Sequence, residues 1–175
     1  SSSNIHFLPG NYNFLTILHE LGHALGLEHP GDYNAAPGVP LTYDNNAAYV
    51  EDTRQHTVMS YFGAWNASDG AFDTGDASTD SILPSTPMID DIVALQRLYG
   101  ANLNSESGNT TYGFNSNADL SVFHINSPTQ QVAFTIWDAV GNDTLDLSGY
   151  SGSQTIDLRP GQYSSTLGLT DNIAV

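Results

Sequence analysis

The chain has 175 residues, with 3 Lys and Arg against 19 Asp and Glu, a formal net charge of −16 and no cysteine. This length allows one domain or two small ones, and the acidic excess argues against nucleic acid as a partner, because nucleic acid requires a basic surface. The lack of cysteine excludes disulfides and thiolate metal ligands, so a bound transition metal must be held by histidine and carboxylate. The chain is too polar for a membrane span, and we expect no membrane partner.

The first predicted element is a helix from Tyr12 to Leu27. Asn11 or Asn13 can cap its start, Gly26 suits its end, and Pro30 prevents it from resuming. This periodicity predicts one buried helix of about four turns. Its apolar residues recur at spacings of three and four: Phe14, Ile17, Leu18, Leu21, Ala24 and Leu25.

A long stretch from Gly31 to Ser85 is rich in Asn, Asp, Gly and Pro and shows little periodicity. A connection of this length in a compact domain is usually functional. A second helix is predicted from Pro87 to Tyr99, with Thr86 as its cap, and we expect it to pack on the first.

From Thr110 onward the pattern changes to short alternating or apolar runs separated by turn residues, which predicts a β-module. The runs are Ser121–Ile125, Gln131–Trp137, Thr144–Leu147 and Gln154–Leu158. We expect the boundary between the two parts at residues 102 and 103. The predicted domains are therefore a helical region over residues 1–102 and a β-module over residues 103–175.

A metal site is predicted inside the first helix. His19 and His23 are spaced i and i+4, so both imidazoles project from one helical face and can reach a single ion. His29 follows the turn at Gly26 and can return as a third ligand. Three neutral ligands leave a position open for water, which is typical of a catalytic zinc. Glu20, beside the first histidine, can act as the general base toward a water activated by zinc, which indicates peptide hydrolysis.

The run from His19 to His29 resembles the metzincin signature, and Pro30 after the last histidine is typical of the serralysin branch. Met59 and Tyr61 lie in Val58-Met59-Ser60-Tyr61, which resembles the methionine turn of this family. The resemblance covers nearly all of the chain from about Thr16. It implies that Met59 forms an apolar floor beneath the zinc, and that Tyr61 acts as a fifth, displaceable ligand and oxyanion donor.

A calcium site is predicted in the β-module. Gly141 and Asp143 belong to half of a glycine-aspartate nonapeptide, and Asp138 adds a second carboxylate. From the residues alone, a plain turn remains open as the alternative. The serralysin resemblance favours one or more structural calcium ions, and it implies that backbone carbonyls of the following residues complete the ligand set: Val140, Glu106, Gly108 and Thr110.

These motifs together predict an α+β protein. The resemblance implies a metzincin-type catalytic subdomain with a zinc helix and a second packed helix, followed by a calcium-binding β-module leading toward a β-roll. We expect a segment of a longer, secreted, monomeric zinc endopeptidase of broad specificity, with protein or peptide substrates and the remainder of its own chain as a further partner. Two alternatives remain: a non-catalytic, calcium-stabilised module that keeps the zinc site, and an adhesin-like β-module with a chance zinc motif.

Overall fold

The computed structural model describes residues 7–66 and 82–175. These residues form a mixed structure of helices and short strands, as expected for the α+β class. Part of the predicted irregular stretch, residues 67–81, lies outside the described residues. No helix in the described ranges has both the length and the apolar character needed to cross a membrane. The α-helices are α1 (Tyr12–Ala24), α2 (Tyr43–Asn46) and α3 (Ile89–Tyr99), and the strands are β1 (Thr111–Gly113), β2 (Phe134–Thr135), β3 (Thr144–Asp146), β4 (Tyr163–Ser164) and β5 (Ile173–Ala174).

Helix α1 ends at Ala24, three residues earlier than predicted. Asn11 is the cap, and its side chain accepts a hydrogen bond from Phe14 N at 2.9 Å. At the other end, the amide of Gly26 donates to the His23 carbonyl, and the amide of Leu27 donates to the Gly22 carbonyl. Gly26 has a φ of +89°, the left-handed conformation that closes a helix in this way. The sharp reversal carries the chain back toward the helix.

The expectation of a buried α1 is wrong for much of its apolar stripe. Leu15 is 4% exposed, whereas Ile17 and Leu21 are 40% and 53% exposed. Among the described residues, α1 is therefore covered along a narrow strip only. In this strip, Leu15 belongs to an apolar cluster that also contains Val58 and Met59.

Helix α3 begins at Ile89, two residues later than predicted, and Thr86 does not cap it. The hydroxyl of Thr86 instead accepts a hydrogen bond from Thr135 N at 2.8 Å. The amide of Met88 at the helix start donates to the side chain of Asp91 at 2.8 Å. The capping acceptor thus comes from within the first turn of the helix, which leaves Thr86 free to bind the β-module.

The β-module contains two small sheets. In one, β1 and β3 are parallel, with Thr111 opposite Thr144. In the other, β5 lies between β2 and β4 and is parallel to β2 and antiparallel to β4. The predicted run at 121–125 is not a strand, because Ser121–Phe123 forms a 3₁₀ turn that still buries Phe123. The run at 154–158 makes one isolated bridge, between Thr155 and Ser165.

Two apolar clusters organise the part of the chain that the structure describes. One lies within the β-module and includes Tyr112, Phe134 and Ile173. The other is built around Leu15, Met59 and Met88, and it also takes in Ala133 and Leu169 from the β-module. Because both parts of the chain contribute to the second cluster, the β-module packs against the base of the candidate site described next.

Candidate metal centre and active site

The structure brings the three predicted zinc ligands together. His19 and His23 project from α1, and His29 returns after the turn at Gly26. The Nε2 atom of His29 lies 3.2 Å from Nε2 of His19 and 3.2 Å from Nε2 of His23. The ligand nitrogens of all three residues lie within 4.8 Å of one another. This arrangement places three imidazole nitrogens around one point.

Each of the three rings is oriented by a backbone carbonyl. The Nδ1 atoms of His19, His23 and His29 lie 2.8, 2.9 and 2.8 Å from the carbonyl oxygens of their partners. Because a carbonyl can only accept a hydrogen bond, each Nδ1 must carry the ring proton in the neutral side chain. All three Nε2 lone pairs are then available to a single cation. The carbonyl partners belong to Val58, Leu27 and Tyr33, respectively.

The imidazole of His19 is partly buried. Burial lowers the pKa of its imidazole, although the hydrogen bond to the Val58 carbonyl acts in the opposite direction. The neighbouring rings of His23 and His29 also lower this pKa. These effects favour the neutral ring, which is the form that binds a metal.

Glu20 and Tyr61 lie with His19 in one cleft of about 340 Å³. Glu20 is exposed to solvent. The ring of Tyr61 packs 4.6 Å from the ring of His29 and 5.7 Å from that of His19, measured between centroids. A second cleft is lined by His23 and His29. The histidine cluster therefore borders two clefts.

Met59 packs against α1 and is 2% exposed. Its sulfur is so close to α1 that a Cβ atom at Gly22 would lie 2.4 Å from it. The absence of a side chain at Gly22 therefore allows the methionine to pass under the helix. The sequence pattern indicates a role for Gly26 but none for Gly22. The need for glycine at position 22 depends on Met59, which lies 37 positions away in the chain.

Two buried carboxylates near the histidines were not predicted from the sequence. Both accept hydrogen bonds from residues that contact the histidines or lie next to those that do. Asp91 is 2% exposed and accepts hydrogen bonds from the Thr57 hydroxyl and the Val58 amide at 2.6 and 2.8 Å. Asp52 is fully buried and accepts from the Tyr33 hydroxyl at 2.8 Å. No local pattern marks either carboxylate as a partner of the site.

The residues predicted to bind calcium also come together. Since β1 and β3 are parallel, the loops that precede them, residues 106–110 and 138–143, lie at the same end of the sheet. Asp143 Oδ1 accepts a hydrogen bond from Thr110 N at 2.9 Å. A Cβ atom at Gly141 would lie 2.1 Å from the Gly108 carbonyl oxygen and 2.6 Å from Asp143 Oδ1. Gly141 thus permits the close approach of these two oxygens.

The remaining predicted calcium ligands border the same loops. Asp138 accepts hydrogen bonds from the Tyr112 hydroxyl at 2.7 Å and from Val140 N at 3.2 Å. The Glu106 carbonyl lies 3.5 Å from the Thr110 hydroxyl. Glu106 also has a φ of +46°, which turns the chain at this point. Two carboxylates and several carbonyl groups are therefore concentrated where the two loops meet.

The family match begins two residues before the predicted start of the β-module. Residues 101–175 match the family described as peptidase M10 serralysin C terminal. The whole chain aligns with metalloprotease AprA of Pseudomonas entomophila at 43% identity, covering 35% of that protein. Serralysin C of Dickeya chrysanthemi is 46% identical over 94% of the chain. Serralysin of Proteus mirabilis is 44% identical over 95% of the chain. In each case the chain covers 32% of the relative. Over nearly its whole length the chain is therefore similar to serralysin-type metalloproteases, and it spans about a third of the length of the curated relatives it matches.

Proposed function

We propose that this chain carries the catalytic zinc site of a metzincin-type endopeptidase that hydrolyses peptide bonds with broad specificity. The observation that carries the proposal is the convergence of three Nε2 atoms while each Nδ1 is committed to a carbonyl. Ligands bound tetrahedrally to one zinc at 2.0–2.1 Å lie about 3.3 Å apart. Two of the three Nε2 separations are 3.2 Å, so the donor set fits this ion. The family relationship supports the same metal.

The roles of the surrounding side chains follow from their chemistry. When bound, zinc supplies a Lewis acid that polarises a peptide carbonyl and makes a water molecule more acidic. Glu20 accepts the proton of the attacking water and returns it to the leaving amine. Tyr61 acts as a displaceable ligand and donates a hydrogen bond to the carbonyl oxygen as negative charge develops there. Met59 gives the histidines an apolar base.

Calcium has a structural role in this proposal. Asp138 and Asp143 supply carboxylate oxygens, and the loop over residues 106–110 supplies carbonyl oxygens, which are the ligands that calcium prefers. An ion at this position would neutralise the two carboxylates and hold the loops at the entry of β1 and β3. Its effect would be on the stability of the β-module, which packs against the base of the zinc site.

The biological setting is inferred from the family relationship. We infer that the protein is secreted and acts outside the cell as a monomer on protein or peptide substrates. The lack of cysteine in the chain is compatible with this setting, because calcium can supply the cross-links that disulfides provide in other extracellular proteins.

The decisive experiment measures cleavage of a general protein substrate by the intact protein, with and without a chelator, alongside zinc content. We expect Glu20→Gln to keep one zinc ion and lose turnover, because the amide cannot accept the proton of water. His23→Ala should lose stoichiometric zinc, since two ligands seldom hold the ion well. Glu51→Gln, at an exposed position outside the cleft, is the control. Equal turnover in the wild-type and Glu20→Gln proteins would remove Glu20 from the mechanism, and zinc binding without any wild-type turnover would favour the non-catalytic alternative.

A further inference from the structure

Tyr33 lies directly against the third histidine and the tyrosine of the cleft. Its carbonyl accepts the hydrogen bond from His29 Nδ1 at 2.8 Å. Its ring is stacked on the imidazole of His29, with the centroids 5.5 Å apart and the planes inclined by 9°. The same ring packs 5.3 Å from the ring of Tyr61. One residue therefore touches His29 through both its backbone and its side chain, and it touches Tyr61 as well.

The hydroxyl of Tyr33 is held by a buried carboxylate. It donates a hydrogen bond to Oδ1 of Asp52, and the other oxygen of Asp52 accepts from Ala48 N at 3.0 Å. Asp52 is fully buried, and Tyr33 is 4% exposed. The carboxylate thus has two donors and a fixed orientation, and it anchors the far end of the tyrosine ring.

The surroundings of the ring leave it little freedom. Phe62 packs edge-on against it at 5.1 Å. A Cβ atom at Gly31 would lie 2.8 Å from two ring atoms, so only glycine at this position lets the loop pass. Shape and hydrogen bonding therefore select the same position for the Tyr33 side chain.

His29 differs from the other two histidines in its support. His19 and His23 lie on α1, whereas His29 lies beyond the end of that helix, in a segment without regular secondary structure. Helix geometry therefore cannot fix the direction of the His29 ring. The contacts with Tyr33 supply the missing constraint.

We propose that Tyr33 is a positioning residue that is tethered by Asp52, fixes the orientation of His29 and supports the ring of Tyr61. This inference rests on the proposed function, because the role it assigns is exercised on the metal ligands. Groups that orient the ligands of a metal typically change its affinity about 10–100-fold when they are removed. The hydroxyl and the ring of Tyr33 contribute separately, since the hydroxyl anchors the side chain and the ring contacts His29 and Tyr61.

The test uses the intact protein with cobalt(II) in place of zinc, because the visible absorption of cobalt reports the geometry of its ligands. We expect Tyr33→Phe, which keeps the ring and loses the tether, to weaken metal affinity about tenfold in competition with a chelator and to shift the cobalt bands. Tyr33→Leu, which also loses the ring contacts, should have a larger effect on both measurements. Tyr43→Phe is the matched control: Tyr43 donates its hydroxyl to the Val50 carbonyl and packs near Phe62, apart from the histidines.

The outcomes separate this inference from the proposed function. Wild-type affinity and an unchanged spectrum in Tyr33→Phe overturn the inference, even if the metal-free protein melts at a lower temperature, because the role is then structural only. If Tyr33→Leu fails to fold, Tyr33→Phe decides, and Asp52→Asn offers an independent weakening of the tether with the same expected direction. A wild-type protein that binds neither ion overturns the proposed function and this inference together.

Discussion

Asp91 and Val58 connect α3 to His19, the first of the three clustered histidines. Oδ2 of Asp91 accepts a hydrogen bond from the Val58 amide at 2.8 Å, and the carbonyl of Val58 accepts from His19 Nδ1 at 2.8 Å. The peptide segment between these two bonds leads directly into Met59. The Asp91 carboxylate on α3 therefore holds Val58 in position, and the Val58 carbonyl orients the His19 ring.

We expect Asp91→Ala to destabilise the protein and to weaken metal binding. The substitution leaves the amides of Val58 and Met88 buried without their acceptor, and each orphaned donor costs about 1–3 kcal/mol. Denaturant unfolding in chelator measures the first effect, and zinc titration measures the second. Asp90→Asn, at the neighbouring position, is the control. Unchanged zinc affinity in a clearly destabilised Asp91→Ala protein would limit Asp91 to a structural role.

Gly22→Ala should destabilise the protein although alanine favours helices. The gain in helix propensity is up to about 1 kcal/mol, but the new methyl group would collide with the Met59 sulfur in a closed core. Overpacking of this kind costs about 1–3 kcal/mol. The free energy of unfolding in denaturant measures the net effect. Gly152→Ala, where a Cβ atom would meet open space, should be close to neutral, and a stabilised Gly22→Ala protein would contradict the tight contact.

Tyr61→Phe should lower turnover while the zinc content stays at that of the wild type. Loss of one donor to a developing oxyanion typically costs about 10²–10³ in rate. The measurement combines kcat on a peptide substrate with metal analysis of the same preparation. Tyr150→Phe, which removes a hydroxyl from the β-module core, should keep its kcat. A wild-type kcat in Tyr61→Phe would reduce Tyr61 to a packing residue.

Calcium should raise the melting temperature of the protein, because a ligand bound only by the folded state stabilises that state. Asp143→Ala should abolish most of this response, since it removes a carboxylate that lies beside the Gly108 carbonyl. Magnesium should replace calcium poorly, because it demands a tighter octahedral site. Asp119→Ala, at an exposed position of the same module, should respond to calcium as the wild type does. Equal melting temperatures of the wild type in calcium and in chelator would favour a plain turn.

His56 should make stability depend on pH. Burial lowers the pKa of this imidazole below its usual 6.5, against the opposing influence of Asp90, Glu51 and Asp171. The unfolded state therefore binds more protons than the folded state just below pH 6.5, so the unfolding free energy falls as the pH drops through this value. The difference in unfolding free energy between wild type and His56→Gln, measured in chelator across pH 5–8, isolates the effect because the other histidines are common to both. A difference that does not change with pH would contradict it.

Some features of the site follow from the sequence because they are local. A spacing of four residues on a helix places His19 and His23 on one face whatever else the chain does. Gly26 closes α1 because only a residue that tolerates a positive φ can make the turn that returns His29. Likewise, the Gly-Asn-Asp pattern at 141–143 predicts the loop that brings Asp143 toward a carbonyl group.

Other features were decided by the tertiary structure alone. The bonds of Asp91 to Val58 and of Tyr33 to Asp52 join residues 33 and 19 positions apart, and the fit of Gly22 over Met59 depends on how a loop passes beneath a helix. The same holds for Thr86, which meets the β-module instead of capping α3. Spacing along the chain carries no information about such pairs, because burial and the pairing of polar groups are properties of the packed chain. The sequence determined which side chains could bind a metal, and packing determined which residues hold them in place.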